Sequence, residues 1–162
     1  MKKEAQSFQT RFEQAKPSLS GIPEIARILS VNEIIYEQSA PSDKPDSLAY
    51  VTNADENSDG KIDKIHFVIP NMNNYFNNDY SDENFNNFLK IIGHTILHER
   101  GHQVDAEKAK NTSSTEPFPQ GEAAAEQHAR QFDTQLDTMI QNLSSRTACT
   151  KLERLKKFLK SN

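Results

Sequence analysis

Two histidines and a glutamate stand in the order H-E-x-x-H, at His98, Glu99 and His102. Because each helical residue turns by about 100°, residues four apart share a face, and these two imidazoles can bind one ion from consecutive turns. Glu99 then lies beside the ion, where a general base for a metal-bound water must stand. The alternative is that two surface or core-edge histidines fall four apart by chance.

The residues around this motif predict a helix over 81–110. Ser81, Asp82 and Glu83 offer an N-cap and an acidic first turn. An apolar face at helical spacing follows, formed by Phe85, Phe88, Leu89, Ile92 and Ile96. The helix can therefore pack on a core while presenting the histidines on a flank. His94 precedes His98 by one turn, and we expect it to be a core-edge histidine; the alternative is that it lines the cleft.

A second helix, predicted over 121–143, supplies the carboxylates. Its apolar residues lie within about 80° of Glu122 on a helical wheel, so Glu122 points toward the core margin, where a carboxylate is costly unless a positive group meets it. Glu122 either completes a metal tripod with His98 and His102, or merely favours the helix dipole. Glu126, one turn later, is expected to orient a ligand histidine from outside the metal's own shell, and the two glutamates could exchange roles. The alanines between them allow a close approach to the motif helix.

Composition limits the class of protein. The chain has 162 residues, typical of one domain, and its net charge of −4 does not suggest a nucleic-acid surface. No apolar run approaches the ~20 residues of a membrane helix, and the N-terminus lacks the apolar segment of a signal peptide. Cys149 is the only cysteine, so any metal must be held by histidine and carboxylate.

The remaining patterns predict an α+β fold with a small antiparallel sheet. Two helices are expected within 1–30, the first ended by Pro17 and the second starting near Pro23. Strands are predicted at VNEIIYEQ, LAYVTN and KIDKIHFVIP, the last two as a hairpin within a sheet region at 31–70. The asparagine-rich segment after them is predicted to be a long anchored loop. A basic amphipathic helix at 146–160 is expected to dock on the domain, with a membrane surface or a partner as the alternative.

The hairpin loop has the spacing of a calcium site. Oxygen ligands alternate in D-x-N-x-D-G-x-x-D, and Gly60 allows a sharp turn. The candidate positions are Asp55, Asn57, Asp59, Lys61 and Asp63. Three carboxylates in one loop repel each other unless a cation lies among them, but the same residue types also dominate ordinary turns. The loop resembles the calcium loops between strands of integrin-type propeller blades, and such a site would pin the hairpin.

The motif helix together with the E-x-x-x-E helix resembles the gluzincin metallopeptidases, and the length is similar to that of the minimal gluzincins. The similarity covers about residues 62–135 and implies zinc on His98, His102 and Glu122, with Glu99 as the base in peptide hydrolysis. Glu126 replaces the family's usual Asp. The resemblance also implies that KIDKIHFVIP, or another edge strand, holds an extended substrate. Larger relatives add an oxyanion-stabilising residue from a C-terminal subdomain, which we do not expect in this chain; Tyr75, Tyr80 and His128 are the remaining candidates.

Two hypotheses follow. The first is a small zinc endopeptidase, active or latent, acting on peptides or unfolded proteins; the second is a non-catalytic, calcium-stabilised binding module with a structural or inert metal. A soluble protein without nucleic-acid or membrane partners is expected, cytoplasmic or secreted with its leader removed. The residues do not indicate the oligomeric state, and His66, in a strand, has no assigned role.

Overall fold

The computed structural model describes residues 7–51, 64–111 and 121–160, with the backbone alone for 106–111, 121 and 147–151. The fold is α+β, as predicted: the helices dominate, and three strands form one small sheet. In chain order, the elements are α1 (Phe8–Leu19), α2 (Pro23–Val31), β1 (Glu33–Glu37), β2 (Ala49–Tyr50), β3 (Lys64–Val68), α3 (Ile69–Tyr75), α4 (Phe85–Asn111), α5 (Gly121–Arg130) and α6 (Asp133–Lys160).

The sheet has the order β1-β3-β2 and is mixed. β2 pairs antiparallel with β3, which confirms the predicted pairing of these two strands. β1 runs parallel to β3, with Glu33 opposite Lys64, so the prediction of an antiparallel sheet is wrong for this pair. A strand's residue pattern indicates which side chains are buried, but it does not fix the direction of the neighbouring strand. β3 is therefore the central strand, and it cannot be the free edge that was expected to hold a substrate.

Two predicted boundaries in the first half of the chain are wrong. α1 continues through Pro17 to Leu19, because a proline near the end of a helix removes only one backbone hydrogen bond. The asparagine-rich segment contains a helix, α3, which begins around Pro70, a residue suited to a first helical turn. α2 begins at Pro23, as predicted.

The second half of the chain divides differently from the prediction of helices at 121–143 and 146–160. The break comes earlier, at Gln131 and Phe132, where the Phe132 N–H donates to the Ala129 carbonyl in a tight turn. Asp133 then provides an acidic first turn for α6, which runs without interruption to Lys160. Because the chain turns here, α5 and the first half of α6 both contact α4.

The core lies where α1, the sheet and α4 meet. Phe8 and Phe12 of α1 contact the Phe67 ring of β3 at centroid distances of 5.3 and 5.1 Å. The predicted apolar face of α4 is confirmed, with Phe88, Leu89, Ile92 and Ile96 fully buried and Phe85 partly buried. This packing fixes α4 on one side and leaves its histidine-bearing flank facing α5.

The distal part of α6 is exposed. The apolar side chains of residues 152–160 remain more than half accessible, so the prediction that this segment docks on the domain is wrong. None of the helices within the described ranges has the length and apolar character needed to cross a membrane.

Candidate metal centre

The histidines and glutamates meet because α4 and α5 approach each other at backbone distance. A Cβ added to Gly101 would lie 2.5 Å from the Cα of Ala125, so only glycine fits at this crossing. Ala125 is fully buried there, in agreement with the expectation that the alanines allow close approach. The crossing places the first turns of α5 directly against the H-E-x-x-H segment.

Glu122 bridges the two motif histidines. Its Oε2 lies 3.1 Å from His98 Nε2, and its Oε1 lies 3.1 Å from His102 Nε2. Two ligand atoms bound to one tetrahedral zinc at ~2.1 Å are about 3.4 Å apart, so the two carboxylate–imidazole distances are close to those that a shared ion requires. One ligand atom from each of the three predicted ligands lies within 4.8 Å of the others, with Glu122 on the exposed side.

Glu126 lies on the other edge of the His98 ring, where its Oε2 is 3.0 Å from Nδ1. A metal-bound histidine usually donates its second ring N–H to a carboxylate, and Glu126 occupies that position. The same carboxylate lies 3.1 Å from His94 Nε2, and His94 Nδ1 is 3.5 Å from Asp133. A chain of alternating carboxylates and imidazoles therefore leads from α6 to the predicted metal ligand.

His94, His98 and Glu126 form a second group that could hold an ion. It uses Nδ1 of His98, whereas the first group uses Nε2. A neutral imidazole has one free nitrogen lone pair, so His98 can serve only one of the two groups at a time. The first group has the two histidines of the motif, and the second then holds the His98 ring in place.

Burial and neighbouring charges favour the protonation states that a metal requires of His102 and Glu126. Burial lowers the pKa of His102, which keeps its imidazole neutral at pH 7. Burial alone would raise the pKa of Glu126, but hydrogen bonds and charges from His94 and His98 outweigh it and lower that pKa. Glu126 is therefore a carboxylate, able to accept a hydrogen bond from His98.

Glu99, the predicted base, is only 5% exposed, and its Oε2 has no hydrogen-bond partner. Burial, followed by the nearby charge of Glu122, raises the pKa of Glu99 to about 8, against which the Lys44 charge acts. A buried carboxyl oxygen without a partner is expensive unless water or a cation meets it. This unpaired oxygen is therefore consistent with a site that binds a water molecule or a cation beside Glu99.

Lys44 belongs to the loop between β1 and β2, and its charge acts on both Glu99 and His102. The loop is fastened by Asn71 of α3, whose amide donates to the carbonyls of Pro45 and Ser47 at 2.8 Å. Sequence analysis missed Lys44 and Asn71, and it underrated His94. The i−4 spacing of His94 from His98 is a usable signal, whereas nothing local indicates that the loop reaches the site.

The contacts described for the three oxyanion candidates are with residues outside the histidine–glutamate group. Tyr80 is buried in the core with its hydroxyl 2.5 Å from Asn73 Oδ1, and Tyr75 is half exposed against Phe76. His128 packs on Phe132, with Nε2 3.9 Å from Glu24. His66 is packed rather than exposed: its ring stacks on Tyr50, and its Nδ1 lies 2.8 Å from Glu37.

The calcium prediction cannot be placed in the fold. Its five positions, Asp55, Asn57, Asp59, Lys61 and Asp63, lie outside the described residues.

Comparison with protein-family models, with curated proteins and with solved structures found no match to this chain.

Proposed function

We propose that this chain is a zinc-dependent endopeptidase of the gluzincin type. The observation that carries the proposal is that one Glu122 oxygen lies 3.1 Å from His98 Nε2 and the other lies 3.1 Å from His102 Nε2. Two imidazoles and one carboxylate are a common catalytic donor set for zinc, and they leave a coordination position for water. The orphaned oxygen of Glu99 beside this set supports the same assignment.

Each residue has a role in the proposed reaction. Bound zinc would polarise both a water molecule and the carbonyl oxygen of a peptide. A divalent ion beside Glu99 would favour its charged form, and this carboxylate would then accept the proton of the water and return it to the leaving amine, so that the peptide bond is cleaved with one water consumed. Glu126 holds His98 in the tautomer that leaves Nε2 free, and His94 holds Glu126.

The burial of Glu99 supports a latent enzyme. At 5% exposure, Glu99 meets a substrate only after neighbouring groups move aside. The Lys44 charge acts on Glu99 and lowers its pKa, against the effect of burial. A lysine whose charge acts on this site would also stabilise a developing oxyanion.

An extended substrate would pair with an edge of the sheet. β1 and β2 form the two edges, and β2 also contacts α4. β2 is therefore the strand we assign to substrate binding by strand addition, in place of β3.

The test combines metal analysis with cleavage of an unfolded protein. We expect the purified chain to bind one equivalent of zinc, measured by mass spectrometry of metals and by calorimetry. His98→Ala, His102→Ala and Glu122→Ala should each weaken zinc binding by at least about 100-fold, because each removes one of three ligands. Glu99→Gln should retain zinc and abolish cleavage of fluorescently labelled casein.

Glu153→Gln is the matched control, since it neutralises an exposed glutamate on α6, away from the site. It should leave zinc binding and cleavage unchanged. Zinc binding that survives all three ligand substitutions would overturn the metal site. Tight zinc binding without cleavage of any unfolded substrate would overturn the peptidase assignment and favour a non-catalytic module.

A further inference from the structure

The end of α6 carries a solvent-exposed apolar stripe. Its four large side chains are 52–66% exposed. They are Leu152, Leu155, Phe158 and Leu159. Elsewhere in the described ranges, only Val31 and Tyr75 are large apolar residues of comparable exposure, and they lie on other helices. Apolar side chains gathered on one helix end, unlike scattered ones, indicate an interaction surface.

The stripe is bordered by cations. At about 100° per residue, the four apolar side chains span an arc of about 120°, and Arg154 and Lys156 lie about 40° beyond its two sides. Lys157 and Lys160 lie further round on the opposite face. Lysine and arginine at the border of an apolar stripe can bury their methylene stems while their charges reach a polar boundary.

This stripe does not continue the core-facing side of α6. The apolar residues of the first half of α6 centre about 120° away from it on the same wheel. Those residues are Leu136, Met139, Ile140 and Leu143, which pack on the core. The distal stripe therefore faces a different direction from the side of α6 that packs on the core.

The charge of the segment is opposite to that of the chain. Residues 152–160 contain four basic residues and one acidic residue, a net charge of +3, whereas the whole chain has −4. An anionic surface would thus attract this end of the molecule and repel most of the rest. That asymmetry selects one orientation.

We propose that residues 152–160 bind the surface of anionic lipid bilayers. The helix lies along the interface, with its leucines and phenylalanine at the boundary of the acyl chains and its flanking cations at the phosphates. This function is independent of the zinc site, because none of its residues belongs to that site.

A second copy of the chain is a poorer occupant. A specific protein interface buries about 800 Å² on each partner, from roughly 20 residues or more, and four side chains on one helix end supply much less. Two copies joined through this stripe would also bring two basic helices together.

The test is co-sedimentation of the full chain with vesicles of phosphatidylcholine, with or without phosphatidylserine. We expect binding to the phosphatidylserine vesicles to be at least about tenfold tighter and to weaken as salt is raised. The double substitutions Leu155→Ser with Leu159→Ser, and Arg154→Glu with Lys156→Glu, should each reduce that binding at least about tenfold. Retained helical circular dichroism would establish that the variants remain folded.

Val31→Ser is the matched control, because Val31 and Leu152 are equally exposed at 52% and Val31 is on α2. It should bind vesicles like the unchanged chain, as should His98→Ala. Equal binding to both vesicle types, no binding to either, or binding insensitive to the two double variants would overturn the proposal. So would a dimer in light scattering that the leucine substitutions convert to a monomer, since the stripe would then serve self-association.

Discussion

At the scale of single residues, the site depends on one imidazole used from both edges. His98 faces Glu122 through Nε2 and Glu126 through Nδ1. If a metal bound Nε2, the ring proton would lie on Nδ1, where the Glu126 carboxylate can accept it. A second carboxylate–imidazole pair, Asp133 and His94, holds Glu126 in turn.

Glu99 gives the metal-free chain a stability that falls with pH. The pKa of Glu99 is raised to about 8 in the fold, from a usual 4.5. The folded state therefore binds this proton more tightly, and the resulting stabilisation is complete below about pH 4.5 and lost by about pH 8. We expect Glu99→Gln to remove this loss, so that the variant gains on the order of a few kcal/mol over the unchanged chain between those pH values.

Denaturant unfolding in the presence of a chelator, repeated across pH 4–9, measures this difference. Glu153→Gln, on the exposed face of α6, should follow the unchanged chain. An unaltered pH slope in Glu99→Gln would show that another group titrates.

The grouping of the three predicted ligands could be predicted from the sequence because each lies at a regular helical spacing. His98 and His102 are four apart, and Glu122 lies on the flank of an amphipathic helix. The effect of the Lys44 charge on Glu99 and His102 could not be predicted, since Lys44 lies in a loop held by Asn71, 27 residues further along the chain. A local pattern contains no record of such long-range anchoring.

At the scale of elements, the approach of α4 to α5 sets the geometry of the site. Gly93 and Gly101 both lie within α4, but a methyl group added at each would contact a different kind of neighbour. At Gly93 it meets the tip of Leu136, which can move; at Gly101 it meets the backbone of Ala125, which cannot move without displacing α5.

We therefore expect Gly101→Ala to be more harmful than Gly93→Ala. Each gains about 1 kcal/mol of helix propensity, but overpacking against backbone should leave Gly101→Ala less stable than Gly93→Ala by about 2 kcal/mol. Gly101→Ala should also weaken zinc binding at least about tenfold, because Glu122 moves away with α5. Thermal unfolding and calorimetric zinc titration of the two variants provide the measurement. Equal zinc affinities in the two variants would contradict this account.

Element types were more predictable than element ends and pairings. Apolar periodicity indicated α4, Pro23 indicated the start of α2, and β-branched and aromatic residues indicated the three strands. These patterns did not indicate that β1 runs parallel to β3, or that the chain turns at Phe132, because both depend on what packs against them. At the end of α6 the helix was predicted correctly but its environment was not. Its amphipathic pattern was interpreted as docking on the domain, whereas its apolar side is exposed.

At the scale of the whole molecule, Arg11 joins the N-terminal helix to the start of the motif helix. Its side chain is buried, and it donates to the Tyr80 carbonyl at 2.9 Å and to Asp82 at 2.8 Å. Asp82 begins the short 3-10 turn before α4, so this contact fixes where α4 starts relative to α1.

Arg11→Leu should lower the free energy of unfolding by about 2–3 kcal/mol, because the Tyr80 carbonyl loses its charged partner within the core. Arg27→Leu is the comparison, since the Arg27 side chain is half exposed where it pairs with Glu24, and its loss should cost about 1 kcal/mol or less. Chemical denaturation of both variants provides the values. Similar losses in the two would mean that the buried contact adds nothing beyond a surface pair.

The aromatic core has a consequence for synthesis on the ribosome. Phe8 and Phe12 are made early, yet the other rings that pack on them, apart from Tyr36, emerge more than fifty residues later. The nascent N-terminal helix must therefore leave its phenylalanines partly uncovered until about half of the chain has been translated. During that interval the growing chain is a natural client for holdase chaperones, which bind such exposed rings.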